Sequence, residues 1–171
     1  MCRSYWVTTW EGVPERLADI RQYLRQTLGD VDGADDVVLV ASELAANAIR
    51  HSKSGSAGGS FVLQVAVFTD CWHVRVDDQG GLSRPMPADA KDTDETGRGL
   101  PMVAALARAW GTFGGSAGRT VWAEVPFPEI DEEPGSDEGE VVRVRAPMLV
   151  GPDDVARWAD ASDLRVVGSL A

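Results

Sequence analysis

Glu43, Asn47 and His51 fall at i, i+4 and i+8 of one stretch, Ala41-Ser-Glu-Leu-Ala-Ala-Asn-Ala-Ile-Arg-His51. Residues four apart share a helix face, so a carboxylate, an amide and an imidazole line up along it. Val37, Val38, Val40, Ala41, Leu44, Ala45, Ala48 and Ile49 recur at helical spacing, which predicts one largely buried helix from about Ala34 to His51. Polar groups on a core helix are costly unless something satisfies them. Either this face meets water, or it meets a polar ligand. A hydrated Mg²⁺ carrying a phosphate suits such a carboxylate and amide.

Three further motifs carry candidate chemistry, and each has a plain alternative. Asp78-Gln79-Gly80 follows a predicted strand. It reads either as a turn, or as a carboxylate that accepts from an exocyclic amine beside a glycine that lets a ring approach the backbone. Gly97-Arg98-Gly99-Leu100 opens a predicted helix and fits either an ordinary N-terminal turn or a phosphate cradle of free N–H groups at a helix dipole. Thr120, beside Gly118 and Arg119, is either a strand residue or a hydroxyl donor to a phosphate.

The elements that must hold these residues follow from periodicity. Arg3–Trp10 alternates and is rich in β-favouring residues, which predicts an opening strand. Pro14 stands near a helix start, and Leu17, Ile20, Tyr23, Leu24 and Leu28 form an amphipathic stripe ending near Gly29. Asp30–Asp36 turns into the Glu43 helix. Lys53–Ser60 is glycine- and serine-rich and reads as a loop. Phe61–Phe68 and Cys71–Val76, joined at Thr69-Asp70, read as a hairpin. Leu82–Thr96 has almost no periodic pattern, and a loop of that length in a compact domain is usually functional or disordered. An apolar helix then runs through Val103, Leu106, Ala107 and Trp110, Gly111–Gly118 is turn-rich, and Arg119–Pro126 closes as a strand. This order predicts an α+β, two-layer α/β sandwich: helices on one face of a mixed, mostly antiparallel sheet.

Composition bounds the rest. At 171 residues the chain fits one domain with an appendage. Glu129–Glu140 holds Glu129, Asp131, Glu132, Glu133, Asp137, Glu138 and Glu140 and no base, interrupted by Pro134, Gly135, Ser136 and Gly139. Dense like charge with low hydrophobicity cannot support a packed core, so 129–140 reads as an acidic linker between a main domain, 1–128, and a short appendage, 141–171. The appendage alternates as a strand over Glu140–Arg145, then offers a short helix from Pro152 and a strand at Leu164–Val167; no chemistry is legible in it. A net charge of −11 argues against nonspecific nucleic-acid or anionic-membrane binding. No apolar run approaches the ~20 residues that span a bilayer. The N-terminus lacks a secretory h-region, and Cys2 and Cys71 form no CxxC or metal knuckle, so the expected compartment is the cytoplasm.

Taken in order, Glu43-Leu-x-x-Asn47, then Asp78-x-Gly80, then a long loop ending in Gly97-x-Gly99-Leu100, then Gly118-x-Thr120, resemble the boxes of the GHKL ATPase family, which includes the catalytic domain of histidine kinases. Glu43-Leu-x-x-Asn47-Ala-x-x-His51 and Thr96-Gly-Arg-Gly-Leu-Pro-Met-Val103 are similar to the first and glycine boxes of its small bacterial branch, the anti-sigma factor serine kinases or histidine-kinase-like ATP-binding proteins. The likeness covers about residues 5–127. It implies a Bergerat-type ATP-binding fold with ATP and Mg²⁺ as cofactors. It implies that Glu43 is the general base, that Asn47 holds Mg²⁺, and that Asp78 binds the adenine amine while Gly80 makes room for the ring. Leu82–Thr96 becomes an ATP lid, Gly97, Arg98, Gly99 and Leu100 meet the phosphates, and Thr120 completes the pocket. His51, at a helix end where the dipole favours a cation, stays outside the catalytic set.

The implied activity is transfer of the ATP γ-phosphate to a serine of an antagonist protein, with a sigma factor as the controlled partner and a homodimer through the Tyr5–Trp10 strand. Two departures bear on it. The second box has adjacent glycines, Gly80-Gly81, which should alter lid entry more than adenine recognition. Just before the glycine box, where serine kinases of the branch carry an arginine that steadies the transferring phosphate, this chain has Glu95-Thr96; Arg98 lies inside the box instead. The alternative to a kinase is therefore an ATP-binding, catalytically weak or inactive module that acts by partner sequestration.

Overall fold

The structure, a computed structural model, describes Cys2, residues 4–81 and residues 99–128. The lid stretch, Gly97, Arg98, the acidic linker and the appendage lie outside the described residues. Strand β1 (Ser4–Glu11) leads into helix α1 (Arg16–Leu28) and helix α2 (Ala34–His51). A 3₁₀ turn at Lys53–Gly55 precedes the hairpin of β2 (Ser60–Val67) and β3 (Cys71–Asp78). Helix α3 (Gly99–Leu106) and a second hairpin, β4 (Ala109–Gly115) and β5 (Gly118–Pro126), complete the unit.

The five strands form one sheet in the order β1-β2-β3-β5-β4. Every pairing among the described residues is antiparallel. Because side chains alternate across a strand, one face carries Phe61, Leu63 and Val65 of β2, Trp72, Val74 and Val76 of β3, and Val121, Ala123 and Val125 of β5. These residues form one core with Ile20, Leu24 and Leu28 of α1, and with Val37, Val40, Ala41, Leu44 and Ala48 of α2. The helices thus cover one face, as the periodicity of α1 and α2 predicts.

Helix α2 is the centre of the helical layer. It starts at Gly33 (φ 78°), carries Asp35 and Asp36 in its first turn and Arg50 and His51 in its last, and so complements its own dipole at both ends. Burying a valine or leucine contributes about 1.5–3 kcal/mol, so its apolar face rather than intrinsic propensity fixes it in place. Trp72 donates its indole N–H to the Asp32 carbonyl at 3.1 Å, pinning the α1–α2 turn to β3.

Two local expectations are corrected. The helix expected to reach Trp110 ends at Leu106, and the stretch expected to be only turns contains β4. Its glycines hid it. Gly111 pairs with Trp122, and a Cβ there would lie 3.1 Å from the indole, so the strand stays open for the ring. Within Lys53–Ser60, the Ser52 hydroxyl accepts the Ser54 N–H at 3.0 Å and supports the short 3₁₀ turn, whereas the composition suggested no helical turn. No helix among the described residues is long and apolar enough to cross a membrane.

Candidate functional site

Helix α2 carries Glu43 and Asn47 one turn apart and brings Glu43 to the start of α3. Asn47 is buried, and among the described residues its Nδ2 has no hydrogen-bond partner. An unmet buried donor costs about 1–3 kcal/mol, so the position fits a group that brings acceptor oxygens. Glu43 keeps about a quarter of its side chain exposed, with Arg50 Nη2 at 4.0 Å. Gly99, the first residue of α3, lies against it: a Cβ on Gly99 would come within 2.5 Å of Glu43 Oε2. The carboxylate therefore stands at a helix N-terminus, where negative charge is favoured. Leu100 is buried and belongs to the core, so it anchors α3.

This end of the site fits a phosphate with its Mg²⁺. The amide and carboxylate are hard donors one helical turn apart, and a phosphate oxygen would satisfy the Asn47 amide. A bound Mg²⁺ would supply positive charge to neutralise a phosphate; Asn47 would hold it, and Glu43 would keep a proton acceptor beside it.

The other end is arranged differently from what the boxes imply. Asp78, at the end of β3, faces the helices like Val74 and Val76. Its Oδ2 accepts from Arg119 Nε at 3.0 Å and lies 2.9 Å from Nη2, and its Oδ1 accepts from the Gly80 N–H at 2.6 Å. Gly80 has φ +72°, and a Cβ there would lie 2.5 Å from the Gly115 carbonyl oxygen, so the room beside this glycine is taken by the β4–β5 turn. Gly81 packs on the end of α2, 2.8 Å from the His51 carbonyl oxygen to its would-be Cβ. Arg119 has no role in the sequence reading.

Thr120 is not brought to Asp78. The register pairs Asp78 with Arg119 and Asp77 with Thr120, which puts Thr120 on the sheet face away from the helices. There its hydroxyl bonds the Asp77 carboxylate, which also accepts from Gln64 at 2.6 Å and Arg75 at 2.9 Å. His51 lies at the exposed end of α2; burial first, then the charges of Arg50 and Arg119, hold its imidazole below its ordinary pKa.

Residues 9–124 match the family model of the histidine kinase-like ATPase domain. The chain belongs to that family. No curated protein matches it. All the candidate site residues, from Glu43 to Thr120, lie inside the matched span of this histidine kinase-like ATPase domain.

A second polar cluster sits on the outer sheet face of the domain. Cys71, His73 and Glu124 are buried, with potential ligand atoms within 4.8 Å of one another. A cation already stands there. Arg108 donates to Glu124 Oε2 at 2.9 Å, to Asp70 Oδ2 at 2.8 Å and to Cys71 Sγ at 3.1 Å, while His73 Nε2 lies 3.0 Å from Glu124 Oε1. Burial pushes the Cys71 thiol up to about 12, so it is protonated at neutral pH. The cluster is an ion-pair network centred on Arg108.

Proposed function

We propose that this histidine kinase-like ATPase domain protein is a Mg-ATP-binding regulatory switch. It transfers the γ-phosphate of ATP to a serine hydroxyl of an antagonist protein and so controls transcription by partner switching with a sigma factor. The observation that carries the reading is the buried Asn47 amide, whose Nδ2 has no partner among the described residues, one helical turn from the Glu43 carboxylate at the start of α3. ATP supplies the phosphoryl group when bound. Asn47 holds the metal–phosphate end, and Glu43 accepts the proton that the serine hydroxyl loses. The resemblance assigns the glycine box, Gly97, Arg98 and Gly99, to the phosphates, with Leu100 anchoring it in the core and Arg98 as the substitute for the arginine that relatives carry before the box. The acidity of the chain suits a basic protein surface as partner, and β1, at an edge of the sheet, suits pairing with a second copy.

Glu95-Thr96 before the glycine box favours a second reading: nucleotide binding without transfer, with partners held by occupancy. Phosphate transfer from ATP to a candidate antagonist separates the two. The kinase reading predicts serine phosphorylation that Glu43→Ala reduces at least 100-fold while Mg-ATP affinity stays within about threefold, the pattern of a lost general base. Nucleotide binding with no transfer by the wild type selects the second reading, and undiminished transfer by Glu43→Ala overturns the base assignment.

A further inference from the structure

Residues that the nucleotide reading assigns to the base are held by the β4–β5 hairpin. The side chains of Asp78 and Arg119 are 1% and 4% exposed, so no ligand atom reaches the carboxylate without displacing a neighbour. Arg119 engages Asp78 Oδ2 through Nε and Nη2, and Nη2 also donates to the His51 carbonyl at the end of α2 at 3.2 Å. Lys53 ties the same corner down: its N–H donates to the Gly80 carbonyl at 2.7 Å and its Nζ to the Ser116 carbonyl at 2.8 Å. A neutral amine offers one hydrogen bond in exchange for a buried, charge-assisted, doubly bonded pair, which is a poor trade at a desolvated site.

We propose that Arg119 is a specificity-determining clamp on Asp78, which withholds the carboxylate from the exocyclic amine of a purine base. The protein then holds a purine nucleotide by its phosphates, at the Asn47 end, and discriminates weakly at position 6 of the ring. The inference rests on the nucleotide-site reading above.

The test is calorimetric titration of the full-length protein, with Mg²⁺, using ATP and the purine ribonucleoside triphosphate that lacks the 6-amine. The wild type, Arg119→Ala, Arg119→Lys and Asn47→Ala are compared. The clamp predicts wild-type affinities for the two nucleotides within about threefold of each other. In Arg119→Ala the preference for ATP rises to about tenfold or more, the scale of a hydrogen bond to a charged group. Arg119→Lys falls between, because one ammonium cannot hold both Asp78 and His51. If Arg119→Ala does not fold, Arg119→Lys decides. A wild type that already prefers ATP tenfold, or a ratio that neither variant moves, overturns the clamp; with ATP binding still lost in Asn47→Ala, the nucleotide site itself stands. No binding of either nucleotide by wild type or by folded Arg119 variants overturns both. ATP binding by the variants alone overturns the proposal that the wild type holds a purine nucleotide by its phosphates.

Discussion

At the residue scale, the two polar networks of the sheet have different consequences. The Asp78–Arg119 pair lies on the helix face at the candidate site; Glu124, on the outer face, is structural. Burial raises the Glu124 carboxyl pKa, but hydrogen bonds and charge from His73 and Arg108 outweigh it and leave the value below the ordinary 4.5. A carboxylate lowered in the folded state contributes stability above its unfolded pKa and loses it as pH falls through the folded one. Glu124→Gln should therefore destabilise the protein at pH 7 by about 3 kcal/mol, near the low end for removing one partner of a buried pair. Urea unfolding at decreasing pH should show that difference shrink below about pH 4.5; a difference that persists unchanged at pH 3 contradicts the assigned role of the ion pair.

Between elements, the contact that matters most is α2 against the first residue of α3. A Cβ on Gly99 meets the end of the flexible Glu43 side chain rather than backbone. Gly99→Ala should cost little stability, within about 1 kcal/mol since the carboxylate can swing away, yet, on the proposed kinase reading, lower phosphate transfer at least tenfold by moving Glu43. Thermal melting beside a transfer assay checks this, and a variant with intact transfer shows that the base does not depend on that contact.

What was legible in the sequence depended on whether a signal was local. Glu43 and Asn47 were readable because both lie on one uninterrupted helix whose apolar residues fix its orientation. Strand β4 was not, because Gly111 is explained only by Trp122 in the neighbouring strand. Arg119 was missed for a related reason: its partner is 41 residues away, across a strand pairing that no local pattern specifies. The alternation was nonetheless present. Val121, Ala123 and Val125 put Arg119 on the core face of β5, just as Val74 and Val76 put Asp78 on that of β3. The same alternation puts Thr120 and Asp78 on opposite faces of the sheet.

For the whole molecule, a two-layer ATPase domain presents a phosphate-fitting end on α2 and, at Asp78, an end closed by the β4–β5 hairpin, followed by a strongly acidic stretch. The central claim is that the Asn47 end binds a magnesium nucleotide. Isothermal calorimetry of the full-length wild type and Asn47→Ala with ATP, with and without Mg²⁺, tests it most directly. Magnesium-dependent binding by the wild type, weakened at least tenfold in Asn47→Ala, is the predicted result. Equal binding by both proteins, or nucleotide binding indifferent to magnesium, would contradict it.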